Sequence, residues 1–555
     1  MPEARVLVVH ANPLGGAVPP YGAERVAQAL VLGGCAVHLS IPFLAARPVR
    51  AFVADLDWDP CLVALSLRNA DDALVVRSPS GRGSIDTRSC LPAVRPLVVA
   101  ARAREVPVLA GGTGIAALGP AGLAALGVDL GVSGPADDLL VRMGRALAAG
   151  VPFPESLPAD PRVIAARGHP PGRGASTLPD DAGCQAPGPT PRLGEGLALA
   201  RFWGTRLPVS TSAGCDRRCW FCVEGAALAG RVRPRPPEEV AAEVARLVRG
   251  GFPRIWLAAS ELNVPDAVHA VAVLRAIART GVRVDVRTFL QAGAVDDDLL
   301  SALEDLGVDP EDLGFEFGHL DPDLLARGAG PAPRAAVDRV VETWLRRGYR
   351  MLGGTVLFGG HPAETRATVD RALEAARAID AALPDGFGLA FSAGARVYPA
   401  APLGRWVASQ PEEARPHLYG RGPEDLARPV VYCRPMPPRA LLEVVLEGLR
   451  PLRGPVTPLN ATAPARPAAR RALALVDRSV LAARSGRTGA ALRALSAALR
   501  HDPEQRDALR HRALLLANVR GDRLGARAAL LRLRRLVDGE AAAEVDAALA
   551  VLGPP

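Results

Sequence analysis

Three cysteines in one short segment constrain this chain more than any other feature. Cys215, Cys219 and Cys222 follow C-x3-C-x2-C spacing. Thiolates are soft ligands that suit iron–sulfur clusters and zinc, and a short loop can bring three of them to one metal group. Three thiolates leave one iron of a four-iron cluster open to a small molecule. A zinc knuckle or three buried thiols are the alternatives, but zinc usually takes four ligands and the sequence has no second C-x2-C pair.

The chain after the cysteines alternates between short apolar runs and helical patterns. With a first strand near Leu207, the pattern predicts six βα units, which suit an open partial (β/α)6 barrel over residues 201–440. In such a barrel the loops at the carboxyl ends of the strands form the site. The predicted strands after the first are Arg254–Ala258, Val282–Arg287, Leu313–Phe317, Arg350–Phe358 and Phe387–Ser392.

Residues 1–150 show the same alternation and predict an α/β domain with a doubly wound, Rossmann-like parallel sheet. The predicted strands end in polar or glycine-rich segments, where ligands of such sheets bind. A nucleotide-binding, a flavodoxin-like and a cobalamin-binding domain all fit this pattern. The G-x-G-x-x-G fingerprint of dinucleotide binding is missing after the first strand.

Three further regions complete the organisation. Residues 151–200, which include Cys184, are rich in proline and glycine and predict a linker, and residues 441–470 predict a connecting segment. Residues 471–555 predict a purely helical domain. There Gly486 and Gly521 lie close to the 34-residue period of tetratricopeptide repeats. Two repeats are few for an independent solenoid, so we expect this domain to pack on the barrel.

Composition restricts the compartment and the partners. The sequence shows neither a signal peptide nor an apolar run long enough to cross a bilayer, and its cysteines do not form a disulfide framework, so a cytoplasmic location is predicted. The net charge of +8 comes from 66 arginines without a single lysine, spread along a chain with only 4% aromatic residues. A nucleic-acid partner is therefore not expected, since such binders concentrate charge beside aromatics.

The cysteine spacing resembles the radical S-adenosylmethionine (SAM) superfamily. Preceded by the N-terminal domain, the chain resembles the cobalamin-dependent members of that superfamily. The resemblance extends over about residues 5–435, apart from the linker, through segments at predicted strand ends. These segments are Ser66–Asp72, Gly111–Gly112, Ser260–Asn263, Glu316 within G-F-E-F-G, Gly359–Thr365, and Ser392–Pro399 with its G-x-R-x-Y-P pattern.

The resemblance implies three cofactors: a [4Fe-4S] cluster, SAM and cobalamin. The three cysteines would hold the cluster, and Phe221 would lie beside the adenine of SAM. A zwitterion such as SAM needs an anionic partner for its ammonium and a cationic one for its carboxylate, which Glu261 and Arg287 can supply. The other residues implied for SAM or its surroundings are Ser260, Glu316, Gly359, Gly360 and Arg396.

For cobalamin, the resemblance implies Ser66, Arg68, Asn69, Gly111, Gly112 and Gly134, with Arg68 near the lower face of the corrin. The D-x-H-x-x-G motif of a histidine ligand is absent, so His10 is interpreted as structural and the cobalt as free of histidine ligation. A salt bridge at a strand end is the alternative for Arg68. Cys433 could act as a hydrogen donor or ligand, but a small buried side chain is favoured.

The resemblance thus implies reductive cleavage of SAM to a 5′-deoxyadenosyl radical, and methyl transfer through methylcobalamin to an unactivated carbon of a small-molecule or peptide substrate. The alternatives are a non-methylating cyclase or rearrangement enzyme and a degenerate cobalamin- or SAM-binding regulator. An electron donor such as flavodoxin or ferredoxin is expected. The helical domain either docks a protein partner or only stabilises the fold.

Overall fold

The computed structural model describes residues 3–13, 20–45, 47–71, 89–166, 205–224, 232–420, 425–458 and 467–553. Asp72 and most of the predicted linker, including Cys184, lie outside the described residues. In the described part of the chain, no helix has the length and apolar character needed to cross a bilayer. The predicted α/β class is confirmed.

The N-terminal domain is built on a six-stranded sheet with the order β2-β1-β3-β4-β5-β6. Its first five strands are parallel and β6 is antiparallel to β5. The central strand β3 is buried along its whole length, as the continuous apolar run L-V-A-L-S requires in a sheet covered on both faces. The strands are β1 Arg5–His10, β2 Ala36–Ser40, β3 Leu62–Ser66, β4 Val108–Gly111, β5 Leu130–Val132 and β6 Val163–Ala165.

Helices cover both faces of this sheet and enclose two separate apolar cores. The helices are α1 Tyr21–Leu32, α2 Pro48–Leu56, α3 Leu91–Arg102, α4 Thr113–Leu126 and α5 Asp137–Ala148. The domain extends beyond its predicted end, because β6 lies within the predicted linker. The apolar pair Val163 and Ile164 gives that short segment enough burial to complete the sheet.

The second region contains two parallel sheets with the orders β11-β10-β7 and β12-β13-β14-β15-β19. The sheets meet where β11 runs into β12, and Thr288 between those strands donates its hydroxyl to the Leu257 carbonyl at 3.1 Å. All six predicted strands are present in this region, which we call the barrel; its closure into one partial (β/α)6 barrel stays a prediction. The six strands are β7 Leu207–Ser210, β10 Arg254–Ala258, β11 Asp285–Arg287 continued by β12 Phe289–Leu290, β13 Gly314–Gly318, β14 Met351–Phe358 and β15 Gly386–Ala393.

The helices between these strands enclose the largest apolar core of the molecule. They are α6 Pro237–Arg249, α7 Ala267–Arg279, α8 Asp297–Asp305, α9 Pro322–Ala326, α10 Arg334–Arg346 and α11 Arg366–Ala382. A hairpin of β8 Ser212–Gly214 and β9 Val232–Pro234 flanks the cysteines. The predicted connecting segment is in fact part of this region: α14 Pro438–Leu449 packs on α11, and β19 Val456–Pro458 pairs with β15.

Short elements follow β15 and form a small antiparallel sheet with the order β16-β18-β17. The elements are β16 Ala395–Arg396, α12 Pro402–Ser409, α13 Pro411–Ala414, β17 Leu418–Gly420 and β18 Val430–Tyr432. The cluster around Val397, Leu403 and Tyr432 is their core, and Trp220 and Phe221 of the cysteine segment pack against it.

The C-terminal region is entirely helical, as predicted, and its helices stack in sequence. They are α15 Pro467–Arg484, α16 Thr488–His501, α17 Arg506–Leu515, α18 Arg523–Arg534 and α19 Gly539–Leu552. Within the described chain, the main contact of this region with the rest of the molecule is that of α15 with the turn Pro42–Leu44 of the N-terminal domain, whereas the main contact was expected with the barrel. The tetratricopeptide-like repeat stays a prediction.

Candidate active site

The cysteine loop begins where β8 ends. Gly214 has a φ of +90°, which turns the chain into the loop at a position where a side chain would be strained. Cys215 is buried, whereas Cys219 and Cys222 are half-buried. The amide of Arg217 donates to the Cys215 sulfur at 3.4 Å, and the Cys222 amide donates to the Cys219 carbonyl at 3.1 Å. The loop is therefore a compact turn that holds three thiols close together.

Burial raises the pKa of all three thiols, that of Cys222 to about 12. For Cys219, the charges of Cys222 and of the other neighbouring acids raise the pKa further. In the described chain, no three His, Cys, Asp or Glu side chains converge on a single metal ion. A four-iron cluster needs no such convergence, because each thiolate binds its own iron, and a bound metal deprotonates its thiols. Three thiols from one loop suit a cluster, whereas a zinc site usually takes four ligands.

Glu261 lies at the carboxyl end of β10 and faces the cysteine loop. Its negative charge contributes to the raised pKa of each of the three thiols. The side chain is buried, and in the described chain its Oε2 atom has no hydrogen-bond partner. Burial, followed by the charges of Glu316 and Glu224, raises its pKa to about 7. A buried carboxylate oxygen without a partner is a site for a cationic ligand group, since such an atom is costly to leave unpaired.

The loop that carries Glu261 is held by its own neighbours. The side-chain amide of Asn263 donates to the carbonyls of Gln291 at 2.8 Å and Ala294 at 2.7 Å, and its oxygen accepts from the Gln291 amide. Ser260 donates to Glu224 at 2.6 Å and also lies 3.3 Å from the Gly214 carbonyl. Ser260 therefore joins the end of β10 to both ends of the cysteine loop. Sequence reasoning missed Glu224, although it lies only two residues after Cys222.

Glu316, on β13, is half-buried, and burial raises its pKa to about 7 despite a hydrogen bond from Thr355. Thr355 is its register partner on β14 and was not predicted. Glu316 also interacts electrostatically with Glu261, so the structure brings the two predicted carboxylates together. Two facing acids are the arrangement in which a proton or a cationic ligand is retained.

The glycine turn after β14 closes on itself. Gly359 has a φ of +78°, and its amide donates to Glu364 Oε1 at 2.7 Å. A Cβ on Gly359 would lie 2.8 Å from the Cys433 sulfur, and one on Gly360 would lie 2.7 Å from Leu357. Cys433 is fully buried beneath this turn, and burial raises the pKa of its thiol. Its position matches the favoured interpretation of a small core side chain.

Two predicted arginines have other partners. Arg287 does not contact Glu261 or Glu316. Its guanidinium pairs at 2.6 Å with Asp312, which lies just before β13 and therefore at the opposite end of that strand from its carboxyl end. Arg396 is buried and pairs with Asp71 of the N-terminal domain at 2.7 Å. Arg396 therefore lies at the contact between the two domains. Phe221 is half-buried against the cluster around Val397, and its place beside the adenine of SAM stays a prediction.

The predicted residues of the N-terminal domain lie at the carboxyl edge of its sheet. Ser66 ends β3 and is paired in register with Gly111 and His10. His10 is buried, and its pKa is lowered to about 4 by burial and by the charge of Arg68, which agrees with a structural role. Arg68 itself is exposed.

The backbone of the same edge is open to a ligand. Gly112 has a φ of +94°, and a Cβ there would lie 2.5 Å from the Leu67 carbonyl, while Gly134 has a φ of +84°. In the described chain the side-chain nitrogen of Asn69 is buried without a hydrogen-bond partner. Bare backbone and an unpaired amide are features that a large polar ligand could satisfy.

One cavity of about 460 Å³ lies between this edge of the N-terminal sheet and the end of β10 with the neighbouring ends of the cysteine loop. Its walls come from both domains: Ser66, Gly111, Gly112 and Gly134 on one side, and Gly214, Glu224 and Ser260 on the other. Tyr21 closes one flank, where its hydroxyl accepts from the Ser210 amide at 3.2 Å. The structure therefore places the two ends of the cysteine loop, Gly214 and Glu224, and the glycine-rich sheet edge around one shared space, while the cysteines themselves are not among the described residues that line it.

Comparisons with known proteins agree with this arrangement. The model of the radical SAM superfamily matches residues 209–374. Ribosomal protein uS12 methylthiotransferase RimO of Kineococcus radiotolerans is 34% identical over 206 residues, which are 32% of this chain and 40% of that protein. The chain thus spans less than half of this relative. Tryptophan 2-C-methyltransferase of Streptomyces laurentii is 25% identical over 482 residues, which are 74% of this chain and 76% of that protein.

Two solved structures share the fold over most of the chain. The radical SAM methyltransferase TsrM of Kitasatospora setae, with cobalamin and a [4Fe-4S] cluster bound, has a TM-score of 0.66 and 21% identity, covering 89% of this chain and all of that one. The cobalamin-dependent SAM radical enzyme OxsB has a TM-score of 0.58 and 11% identity, covering 99% and 81%. The chain therefore contains a radical SAM domain and has the overall fold of cobalamin-dependent radical SAM enzymes.

Proposed function

We propose that this chain is a cobalamin-dependent radical SAM enzyme that transfers a methyl group to a carbon atom of its substrate. The observation that carries the proposal is the cavity that the two ends of the cysteine loop share with the glycine-rich edge of the N-terminal sheet. Two cofactors that react with one substrate must face a common space, because transfer requires contact between the reacting atoms.

The cysteine side of the cavity would hold the cluster and SAM. Cys215, Cys219 and Cys222 would each bind one iron, and Glu261 would receive the ammonium group of SAM, since its free carboxylate oxygen faces the loop. The turn of Gly359 and Gly360 and the ring of Phe221 would contact the adenosine. Glu316 would contact the same ligand from β13. Arg287 is left out of this set because Asp312 already neutralises it.

The N-terminal side would hold the corrinoid. Gly111, Gly112 and Gly134 leave backbone exposed where a flat macrocycle can approach, and Ser66 and Asn69 offer polar groups beside it. Arg68 would lie near the lower face without binding cobalt, because a guanidinium stays protonated. When bound, the cluster would supply the electron that cleaves SAM, and the corrinoid would carry the methyl group.

The relatives suggest the first substrate to test. One is named a tryptophan 2-C-methyltransferase, and the TsrM structure has also been solved with tryptophan bound. We therefore infer a small-molecule substrate with an aromatic carbon acceptor, with tryptophan as the first compound and indole-containing peptides as the second. The pocket shape that would decide between them depends on the bound cofactors.

Anaerobic reconstitution tests the proposal directly. The full chain would be loaded with iron, sulfide and hydroxocobalamin, then given SAM, a strong reductant and tryptophan, with mass spectrometry of the products. Bound corrinoid, 5′-deoxyadenosine and S-adenosylhomocysteine together with methylated tryptophan would support it, and Cys219→Ala should abolish them. If 5′-deoxyadenosine forms without S-adenosylhomocysteine, a non-methylating reaction is favoured. If neither compound forms, the chain binds cofactors without catalysis.

Partners and location also belong to the proposal. The one-electron step needs a donor such as flavodoxin or ferredoxin, and an oxygen-sensitive cluster is best kept in a reducing, cytoplasmic compartment. The helical region offers a surface for a protein partner. It carries a formal charge of +7, since residues 467–553 hold 16 arginines and 9 acidic residues. An acidic partner would be attracted to that surface.

A further inference from the structure

One buried ion pair connects the two domains. The guanidinium of Arg396 lies 2.7 Å from Asp71, and the two side chains are only 4% and 1% exposed. Tyr398 adds its hydroxyl to the same carboxylate at 3.4 Å, and its ring lies 4.7 Å from the guanidinium carbon. The Asp71 carboxylate therefore accepts from two side chains that belong to the segment after β15.

The barrel side of this contact is itself fixed. Arg396 also lies 3.4 Å from the carbonyls of Leu426 and Val430, so its guanidinium is held by its own region. Two residues beyond Tyr398, the Ala400 amide donates to the Ala117 carbonyl in α4 at 3.2 Å. The segment of residues 396–400 thus docks on the N-terminal domain at two independent points.

The other side of the contact is the loop that follows β3. Residues 66–71 contain Ser66, Arg68 and Asn69, which are proposed to contact the corrinoid. The Leu67 carbonyl accepts from the Gly114 amide at 2.9 Å, and the Ala70 carbonyl accepts from the Cys90 amide at 2.8 Å. These bonds fix the loop within its own domain. The pair of Asp71 with Arg396 adds a buried charged contact between this loop and the segment after β15.

We propose that Arg396 and Tyr398 are positioning residues that hold the loop of residues 66–71 in register with the barrel through Asp71. The second half of the inference rests on the proposed function: by holding this loop, the pair keeps the corrinoid at a set position relative to the cysteine loop. A buried charge keeps its geometry strictly, because any movement leaves an unpaired charge away from water. Arg396 would therefore act through Asp71 and not by touching a cofactor.

Hydrogen exchange of the cofactor-free chain tests the first half. Asp71→Asn, Arg396→Gln and Tyr398→Phe should each speed amide exchange in residues 62–71, by about tenfold for the two charge variants and less for Tyr398→Phe. Glu243→Gln is the matched control, because it breaks an equally buried pair, Arg235 with Glu243 at 2.9 Å, within the barrel. Unchanged exchange in Asp71→Asn and Arg396→Gln would overturn the inference.

Corrinoid binding tests the second half without catalysis. Titration of the cluster-free, SAM-free chain with hydroxocobalamin, followed by visible absorbance, should show affinity about tenfold weaker in Arg396→Gln and unchanged in Glu243→Gln. Tyr398→Phe keeps the charges paired, so it provides a folded variant if Arg396→Gln does not fold. If the loop is loosened but the affinity for hydroxocobalamin is unchanged, the second half of the inference is refuted. A wild-type chain that binds no corrinoid would overturn the proposed function, while the exchange result would still decide the first half.

Discussion

Whether a predicted residue is available to a ligand depends on the partner that its side chain contacts in the folded chain. The three cysteines and Glu261 were predicted from local motifs, and the structure places them together because a short loop and the end of one neighbouring strand are enough to do so. Arg287 and Arg396 were also predicted from motifs, but each has a carboxylate partner that no local pattern reveals. Asp71 and Arg396 are 325 positions apart in the chain.

The charge pair between the domains makes a prediction about stability. Arg396→Met should lower the free energy of unfolding by about 3–5 kcal/mol, because it removes the guanidinium that pairs with the buried Asp71 carboxylate. The double variant Arg396→Met with Asp71→Leu should recover most of that loss, since two apolar side chains can replace a buried pair at little cost. Urea unfolding of the two variants and the wild type measures both effects. A double variant as unstable as the single one would contradict this account.

Glu316 makes a prediction about pH. Its pKa is raised to about 7 from the ordinary 4.5, so the folded state retains a proton between those values that the unfolded state has lost. Ionised Glu316 therefore destabilises the fold as pH rises through 7, and stability is regained as pH falls towards 5. In the cofactor-free chain, Glu316→Gln should remove about 2 kcal/mol of this pH-dependent difference between pH 5 and pH 8.

Thermal or urea unfolding at several pH values measures the effect of Glu316→Gln. Glu238→Gln is the control, because it makes the same change at a glutamate whose side chain is exposed to solvent. The same slope in Glu316→Gln as in the wild type would show that Glu316 is not the group that titrates.

At the scale of elements, the glycine-rich turns show at which strand ends there is no room for a side chain. Gly112→Ala should cost more than Gly127→Ala, although both glycines have positive φ. A Cβ on Gly112 would lie 2.5 Å from the Leu67 carbonyl, whereas the space around Gly127 is open. We expect about 1 kcal/mol for Gly127→Ala from the backbone conformation alone, and at least about 2 kcal/mol for Gly112→Ala. Chemical denaturation compares the two, and equal costs would exclude the steric contribution.

The cysteine loop is anchored through Trp220. Its amide donates to the Gly328 carbonyl at 3.0 Å, its carbonyl accepts from the Leu403 amide at 2.9 Å, and its ring lies 5.0 Å from that of His361. Trp220→Ala should keep the two backbone bonds and all three thiols but lose the ring contact with His361, so the loop should loosen and a reconstituted cluster should lose iron to a chelator about tenfold faster. Trp58→Ala, in the N-terminal domain, is the control. Equal rates of iron loss would show that the indole does not support the cluster.

At the scale of the whole molecule, charge is strongly segregated. Residues 459–555 hold 17 of the 66 arginines and 9 of the 58 acidic residues, which leaves 49 of each in residues 1–458 and a formal net charge of zero there. The body that carries the proposed site is thus formally neutral, and the helical region supplies the basic character. Because the described residues of that region do not line the cavity, its removal should spare the site.

Truncation after Pro458 tests this division. The shortened chain should lose its retention on a cation exchanger at low salt, because its formal net charge falls from +8 to zero. It should still take up iron and corrinoid as the full chain does. Loss of corrinoid uptake would mean that the contact of α15 with the turn Pro42–Leu44 supports the N-terminal domain, and would contradict the prediction.

Some properties of this chain follow from the sequence by itself. Apolar runs that alternate with helical patterns determine two α/β regions, because such runs are buried only in parallel sheets covered by helices. The cysteine spacing determines a loop with three thiols. The glycines at strand ends determine where the backbone stays exposed. All of these properties depend on residues close together in the chain.

Only the tertiary structure decides which distant groups meet. It makes β6 and β19 part of the two main regions, places the helical region on the N-terminal domain, and pairs Arg396 with Asp71 and Arg287 with Asp312. It also brings the two strand edges around one cavity. The physical reason is that burial and ion pairing depend on distance in space, and a periodic pattern in the sequence contains no information about that distance.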